Sequence, residues 1–363
     1  MRNLKVQLFV MMSSLGFALP LANAQLLKPA LDIIEQAVSS GDIPGASVLI
    51  LQNEKIIVDR AFGICDRRDQ RAFQPDTICW IASLTKPITA AAAMTLVEDG
   101  KLDLDATVDQ YLPEFRHQAT KKERRLPTVR QLMCHSSGIQ SSVPQRPRFF
   151  FDQKWYSRSL KEIAPAIAET ELVFAPGTKV QYSNAAPYVL GRIIEVLSGQ
   201  NFGDYVKAKI LLPLGMNDTG FSVPAEKVDR VAVVYRKEKQ SAIEFCRYDP
   251  NWQVKMTMPD GGLFSTPADM AKFASAFLNG GKPILSTKLA DEMLSPQSKG
   301  YGLGWILDEP GQFSHWGSSG TLIWGDSKSG VVGVLFIQLQ DLKLVGDIHR
   351  RFRSTVTQVL SKP

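Results

Sequence analysis

Strand patterning is concentrated at the two ends of this chain, and the long stretch between them reads mainly as helix and polar loop. Leu27, Leu31, Ile34 and Val38 recur at helical spacing until Gly41 stops the helix. Residues 46–51 and 55–61 are then rich in β-branched side chains and meet at Gln52-Asn53-Glu54, which is hairpin patterning. Strands return at residues 304–307, 320–325 and 331–338, and a last helix places Ile348, Phe352, Val356 and Val359 on one face. Half-buried strands this far apart in sequence need one another and a covering layer of helix. The predicted fold class is therefore α/β in the α+β sense. Residues 25–82 and 291–363 build one discontinuous domain, an antiparallel sheet flanked by the terminal helices, and residues 83–290 form a mainly helical domain inserted between them. No internal repeat or low-complexity tract interrupts this plan.

The first 24 residues stand outside the fold. Arg2 and Lys5 precede a mostly apolar run over residues 8–21, and Ala22-Asn23-Ala24 has the small-x-small form of a cleavage site, so the mature chain is predicted to begin at Gln25. Ser13, Ser14, Gly16, Pro20 and the shortness of the run argue against an uncleaved anchor. No cysteine follows the cleavage site to take a lipid, so no stable membrane anchor is expected after cleavage. The expected location is periplasmic or secreted. The formal net charge is +6, and the leader accounts for two of its basic residues. Lys121, Lys122, Arg124 and Arg125 form a short basic run without aromatic platforms, which reads as a solvated loop and not as a nucleic-acid site. In an oxidising compartment Cys65, Cys79, Cys134 and Cys246 could pair in three ways or stay as buried thiols. They form no Cys-x-x-Cys, and His117, His135, His315 and His349 lack metal-ligand spacing, so no metal site is predicted.

Ser83-Leu84-Thr85-Lys86 carries the chemistry. A serine at its free pKa is a weak nucleophile and needs an adjacent base. A lysine at i+3 lies on the same helix face, and burial beside positive charge would keep its amine neutral and able to take the hydroxyl proton. Pro87 falls in the first helical turn, Ala90–Ala93 propagate the helix and Gly100 ends it. The Ser83 amide at the helix start is one donor for an oxyanion. Tyr182-Ser183-Asn184 offers a phenol to relay the proton to a leaving group and an amide to orient Lys86 and substrate, with Asn184 also placed to cap the helix that follows. His315-Trp316-Gly317 is expected to precede a strand beginning at Ser318. Gly317 admits substrate close to the backbone, the Ser318 amide becomes the second oxyanion donor, and a protonated His315 supplies positive field for a carboxylate.

These three elements, in this order, resemble the serine β-lactamase and penicillin-binding-protein superfamily, whose motifs are S-x-x-K, S-D-N and K-T-G. The Tyr-x-Asn form is similar to the branch of class C β-lactamases, D-Ala-D-Ala carboxypeptidases and esterases. Four further segments share that branch's wording: Leu132-Met133-Cys134-His135-Ser136-Ser137-Gly138-Ile139, Pro176-Gly177-Thr178, Gly261-Gly262-Leu263-Phe264-Ser265-Thr266 and Tyr301-Gly302-Leu303-Gly304-Trp305. The resemblance implies Ser83 as the acylated nucleophile and Lys86 and Tyr182 as joint base and acid. Asn184, His315, Gly317 and Ser318 would be substrate-binding, and no metal or organic cofactor would be needed. It implies an acyl-enzyme hydrolase of D-Ala-D-Ala peptides, β-lactams or esters, its partner a small-molecule or peptidoglycan-derived substrate. His315 stands where β-lactamases carry lysine, which weights the reading away from efficient β-lactam hydrolysis. Lys328-Ser329-Gly330 also fits K-x-G but reads as a hairpin turn. The other class of reading is a peptidoglycan or penicillin sensor that is acylated without turnover, and the complete Ser83, Lys86 and Tyr182 set favours an enzyme. Residues 144–156, with Phe149, Phe150, Phe151, Trp155 and Tyr156, would either wall the cleft or pack a loop.

Overall fold

The computed structural model describes residues 25–118, 125–146, 157–239, 241–251 and 257–360. The leader, most of the basic run and the aromatic cluster Phe149–Phe151, Trp155 and Tyr156 lie outside them. Helix α1 (Lys28–Ser39) buries Ala30, Leu31, Ile34 and Ala37 on one side. Strands β1 (Gly45–Gln52) and β2 (Lys55–Asp66) follow. Their turn is Asn53-Glu54, with φ of 49° and 65°, the left-handed pair that matches the twist of a two-residue hairpin. Short strands β3 (Arg71–Ala72) and β4 (Cys79–Trp80) lead to a 3₁₀ turn, Ala82–Leu84, and then helix α2 (Thr85–Glu98).

The helical layer contains α3 (Val129–Met133), α4 (Leu160–Ala168), α5 (Ala186–Ser198) and α6 (Pro267–Leu278). Thr266 caps α6 by accepting from the Asp269 amide, with Pro267 in the first turn. This layer is not uniformly helical. Strands β5 (Val234–Glu238) and β6 (Ser241–Cys246) pair within it, and β7 (Phe264–Ser265) pairs with β4. The chain closes with β8 (Ile306–Leu307), β9 (Gln312–Gly317), β10 (Thr321–Asp326), β11 (Val331–Phe336), β12 (Leu339–Gln340) and helix α7 (Leu342–Leu360).

Strands from both ends of the chain form one seven-stranded sheet in the order β3-β2-β1-β11-β10-β9-β8, every neighbour antiparallel. The N- and C-terminal segments meet at β1 and β11, where Ser47 faces Phe336 and Gln52 faces Val331. Side-chain alternation divides the sheet between two cores. Val48, Ile50, Leu322, Trp324, Val331 and Leu335 pack under α1 and α7, which add Ile34, Ile348, Phe352 and Val356. Leu49, Ile323, Val332, Val334 and Phe336 face the opposite core with α2, α5 and α6. Fully burying each such large side chain contributes about 1.5–3 kcal/mol relative to exposure.

Helix α2 is buried from Thr85 to Leu96. Its alanines let neighbours approach closely: a Cβ added at Gly304 would stand 2.6 Å from the Ala90 Cβ. A central helix sealed on every side holds its N-terminus rigidly, and the 3₁₀ turn that leads into it carries Ser83. All four cysteines are buried free thiols. No helix among the described residues is long and apolar enough to cross a membrane.

Candidate active site

The segment before Ser83 is fastened to both layers. The Trp80 indole donates to the Gly261 carbonyl at 2.6 Å, and the Ile81 amide to the Leu263 carbonyl at 3.0 Å. From the sheet side, the Ser319 hydroxyl and the Gln338 amide donate to the Trp80 carbonyl, and the Thr321 hydroxyl to the Ile81 carbonyl at 3.0 Å. Ala82 is held at φ 47°, a left-handed conformation costly for a residue with a Cβ. These surrounding bonds maintain that bend, which delivers half-buried Ser83 to the seam between sheet and helices.

Lys86 is buried and makes three contacts. Its Nζ lies 3.2 Å from Ser83 Oγ, 2.9 Å from Asn184 Oδ1 and 2.8 Å from the Asp260 carbonyl oxygen. Burial is the main cause that brings its pKa down to about 7; the Asp260 carboxylate opposes this and Arg146 adds to it. Arg146 and Asp260 are themselves paired at 2.7 Å with both side chains largely buried. The result is an amine that is substantially neutral near pH 7 and within hydrogen-bond reach of a serine hydroxyl, the geometry of a nucleophile with its base.

Tyr182 stands beside this amine, with Lys86 Nζ 4.7 Å from its ring centre, and the Ser83 side chain partly offsets the effect of burial on its phenol. A nearby lysine cation would ease ionisation of this phenol, but burial outweighs it and raises the pKa well above the ordinary tyrosine value. The neutral phenol can donate a proton and cannot serve as the resting base. Of the two uses expected of Asn184, the structure shows the contact with Lys86 and not the helix cap. The Ser183 hydroxyl accepts from the Ala185 and Ala186 amides ahead of α5, and the Asn184 side chain meets Lys86.

The His315-Trp316-Gly317 triplet is the end of strand β9, not its prelude, and residues 318–320 form the turn into β10. A Cβ at Gly317 would overlap the Ile81 carbonyl and the Thr321 hydroxyl, so only glycine lets β9 lie against the Ser83 turn. Half-buried Ser318 begins the 318–320 turn immediately beyond that contact. Replacing Gly317 with alanine is expected to push β9 away and slow acylation by roughly 10²-fold. A stopped-flow burst at the wild-type rate would contradict this.

The His315 ring is only 1% exposed, and burial, followed by the Lys86 field, brings its pKa down to about 3. Its Nδ1 lies 2.9 Å from the Trp316 carbonyl, which can only accept, so the ring carries its proton on Nδ1 and is neutral. The positive field expected of His315 is therefore not there at neutral pH. Lys328 lies in the β10–β11 hairpin, its amide donating to Asp326, as the decoy reading requires.

Three contributors escaped sequence reasoning as site residues. Asp260 acts through a main-chain carbonyl, which no side-chain pattern encodes. Arg146 carries no motif. His135 lies in a quoted segment, but only the fold shows its ring against Tyr182 at 4.5 Å.

Comparison with known proteins agrees with this architecture. The profile of the family described as Beta-lactamase matches residues 30–354. Esterase EstB of Burkholderia gladioli is 30% identical over 329 residues, covering 81% of this chain and 83% of that protein. Among solved structures, EstCE1, described as a hydrolase with promiscuous acyltransferase activity, superposes with a TM-score of 0.81 at 21% identity, covering 93% of this chain and 99% of that one. The octameric penicillin-binding protein homologue from Pyrococcus abyssi gives a TM-score of 0.76 at 25% identity, covering 92% of this chain and 77% of that one. With the fold, the motif order and a family match over nearly its whole length in agreement, this chain belongs to the Beta-lactamase family of hydrolases.

Proposed function

We propose that this protein is a serine hydrolase of carboxylic esters that works through an acyl-enzyme on Ser83. The observation that carries the reading is the 3.2 Å approach of the Lys86 amine to Ser83 Oγ, with burial keeping that amine substantially neutral. Ser83 Oγ attacks the ester carbonyl carbon while its proton passes to Lys86. The backbone amides of Ser83 and Ser318 hold the oxyanion, each such donor contributing about 2.7–4 kcal/mol of barrier lowering. The bond to the leaving oxygen then breaks, Tyr182 protonates that oxygen, and the Lys86 ammonium returns a proton to Tyr182. Water cleaves the Ser83 ester by the reverse relay.

Esters are favoured over the carboxylate-bearing substrates by the third strand. The neutral, buried His315 offers no cation to a substrate carboxylate, and Arg146 is paired with Asp260. The 30% identity to an esterase points the same way. Three substrates tested side by side decide the matter. A p-nitrophenyl ester is expected to give kcat/KM at least about 10²-fold above a chromogenic cephalosporin and a D-Ala-D-Ala peptide, a discrimination of the size carried by one site interaction. Faster turnover of either carboxylate-bearing substrate would overturn the ester assignment. Penicillin forming a lasting adduct, with no turnover of any of the three, would favour a sensor.

A further inference from the structure

His135 takes no part in the relay just described, yet it contacts the catalytic phenol's segment at three successive residues. Its backbone carbonyl accepts from the Gln181 amide at 2.9 Å. Its ring Nδ1 accepts from the Ser183 amide at 3.2 Å. Between them its ring lies on the Tyr182 ring, centres 4.5 Å apart and planes at 37°. The imidazole is in turn backed edge-on by Tyr301 at 4.9 Å.

We propose that His135 is the positioning residue for Tyr182, gripping the residue before it, the residue after it and the phenol face between them, and so aiming the hydroxyl at Ser83. The proposal rests on the reading of Tyr182 as the proton donor. Three features fit such a post. The backbone of His135 is left-handed, with φ of 58°, and this is the conformation in which both its carbonyl and its ring reach the same strip of chain. Because Nδ1 accepts from an amide, the neutral ring carries its proton on Nε2, and burial followed by the Lys86 and His315 fields holds it neutral. A ring that cannot charge does not disturb the Lys86 amine while it takes and returns protons. Lastly, the strip after His135 continues the grip: the Gln140 carbonyl accepts from the Ser183 hydroxyl at 2.8 Å, and the Ser141 carbonyl from the Asn184 amide at 2.9 Å. One short segment thus sets both Tyr182 and the Asn184 that holds Lys86.

Two variants separate the ring from the hydrogen bond. In His135→Asn the carboxamide oxygen takes the place of Nδ1 and asparagine tolerates the left-handed backbone, so the loop stays anchored while the ring is lost. In His135→Ala both are lost. With a p-nitrophenyl ester, His135→Ala is expected to lower kcat by roughly 10²-fold and His135→Asn by about tenfold, KM changing less than about twofold in each, as befits a misplaced catalytic group. The Tyr182 phenol, once water reaches its exposed face, should titrate nearer the ordinary tyrosine range, read as ultraviolet phenolate absorbance against the matching Tyr182→Phe double variant. Should His135→Ala fail to fold, His135→Asn alone decides. Wild-type kcat in His135→Asn, or a loss confined to KM, would overturn the proposal. Tyr182→Phe is the control. If it keeps wild-type kcat, the donor role of Tyr182 fails and this proposal falls with it; if it is inactive while His135→Asn is fully active, only the positioning role fails.

Discussion

Ser83→Ala is expected to lower kcat/KM for esters by roughly 10⁴–10⁶-fold, the loss seen when a nucleophile is removed from a cooperating set, with the folded structure unchanged. The structural reason for the second half is specific. Ser83 Oγ is bonded to Lys86, and Lys86 retains Asn184 and the Asp260 carbonyl after the hydroxyl is gone. Ser83 is also half-buried at the cleft and contributes little to packing, so the cavity left is small. Circular dichroism and thermal unfolding should match the wild type while the ester burst disappears. A residual burst of product in this variant would remove Ser83 from the nucleophile role.

The second large effect belongs to Lys86. Its replacement by methionine is expected to slow acylation by roughly 10²–10⁴-fold. In the intact protein the same group sets the pH dependence. Only the unprotonated amine can take the Ser83 proton, and the amine's pKa lies at about 7. The acylation rate should therefore rise about tenfold per pH unit below that point and level off above it. The charges facing the amine fix how the limb moves. His135 and His315 are neutral and Tyr182 is protonated across this range, so Arg146 and Asp260 are the groups that tune it. Arg146→Gln removes a cation that lowers the pKa and leaves the Asp260 carboxylate that raises it, so the limb should shift about one unit to higher pH. A limb near the free lysine value, or one that stays put in Arg146→Gln, would contradict the assignment. Stability carries the same sign. Between about 7 and the unperturbed 10.5 the folded chain binds fewer protons at Lys86 than the unfolded chain. This group's contribution to stability therefore rises with pH across that window.

The parts of the fold set by local physics were legible in the sequence. The Asn53-Glu54 hairpin, the face of α7 carrying Ile348, Phe352 and Val356, and the hairpin around Lys328 all follow from turn chemistry or periodicity. The end of strand β9 was not, because Gly317 is a poor strand former and residues 315–317 pair through the tertiary contact with β10. In the candidate site, the motifs named most of the residues that the fold brings together around Lys86. They misjudged the charge states. Whether Tyr182 ionises or His315 becomes a cation depends on burial, which is a property of the packed site and not of the triplets. The switch between Ser183 and Asn184 is of the same kind. Either side chain could meet the amides that open α5; Ser183 does so, while the Asn184 oxygen is held by Lys86, which lies far away in sequence.

The role proposed for every residue of this site depends on a carboxylic ester passing its acyl group to Ser83. Quenched-flow mass spectrometry of the intact protein with a p-nitrophenyl ester, followed by peptide mapping, tests it directly. The expected result is a transient gain of one acyl group, formed at the rate of p-nitrophenol release, located on the peptide carrying Ser83 and lost as the free acid appears. Turnover with no acylated peptide, or with the acyl group on any other residue, would contradict it.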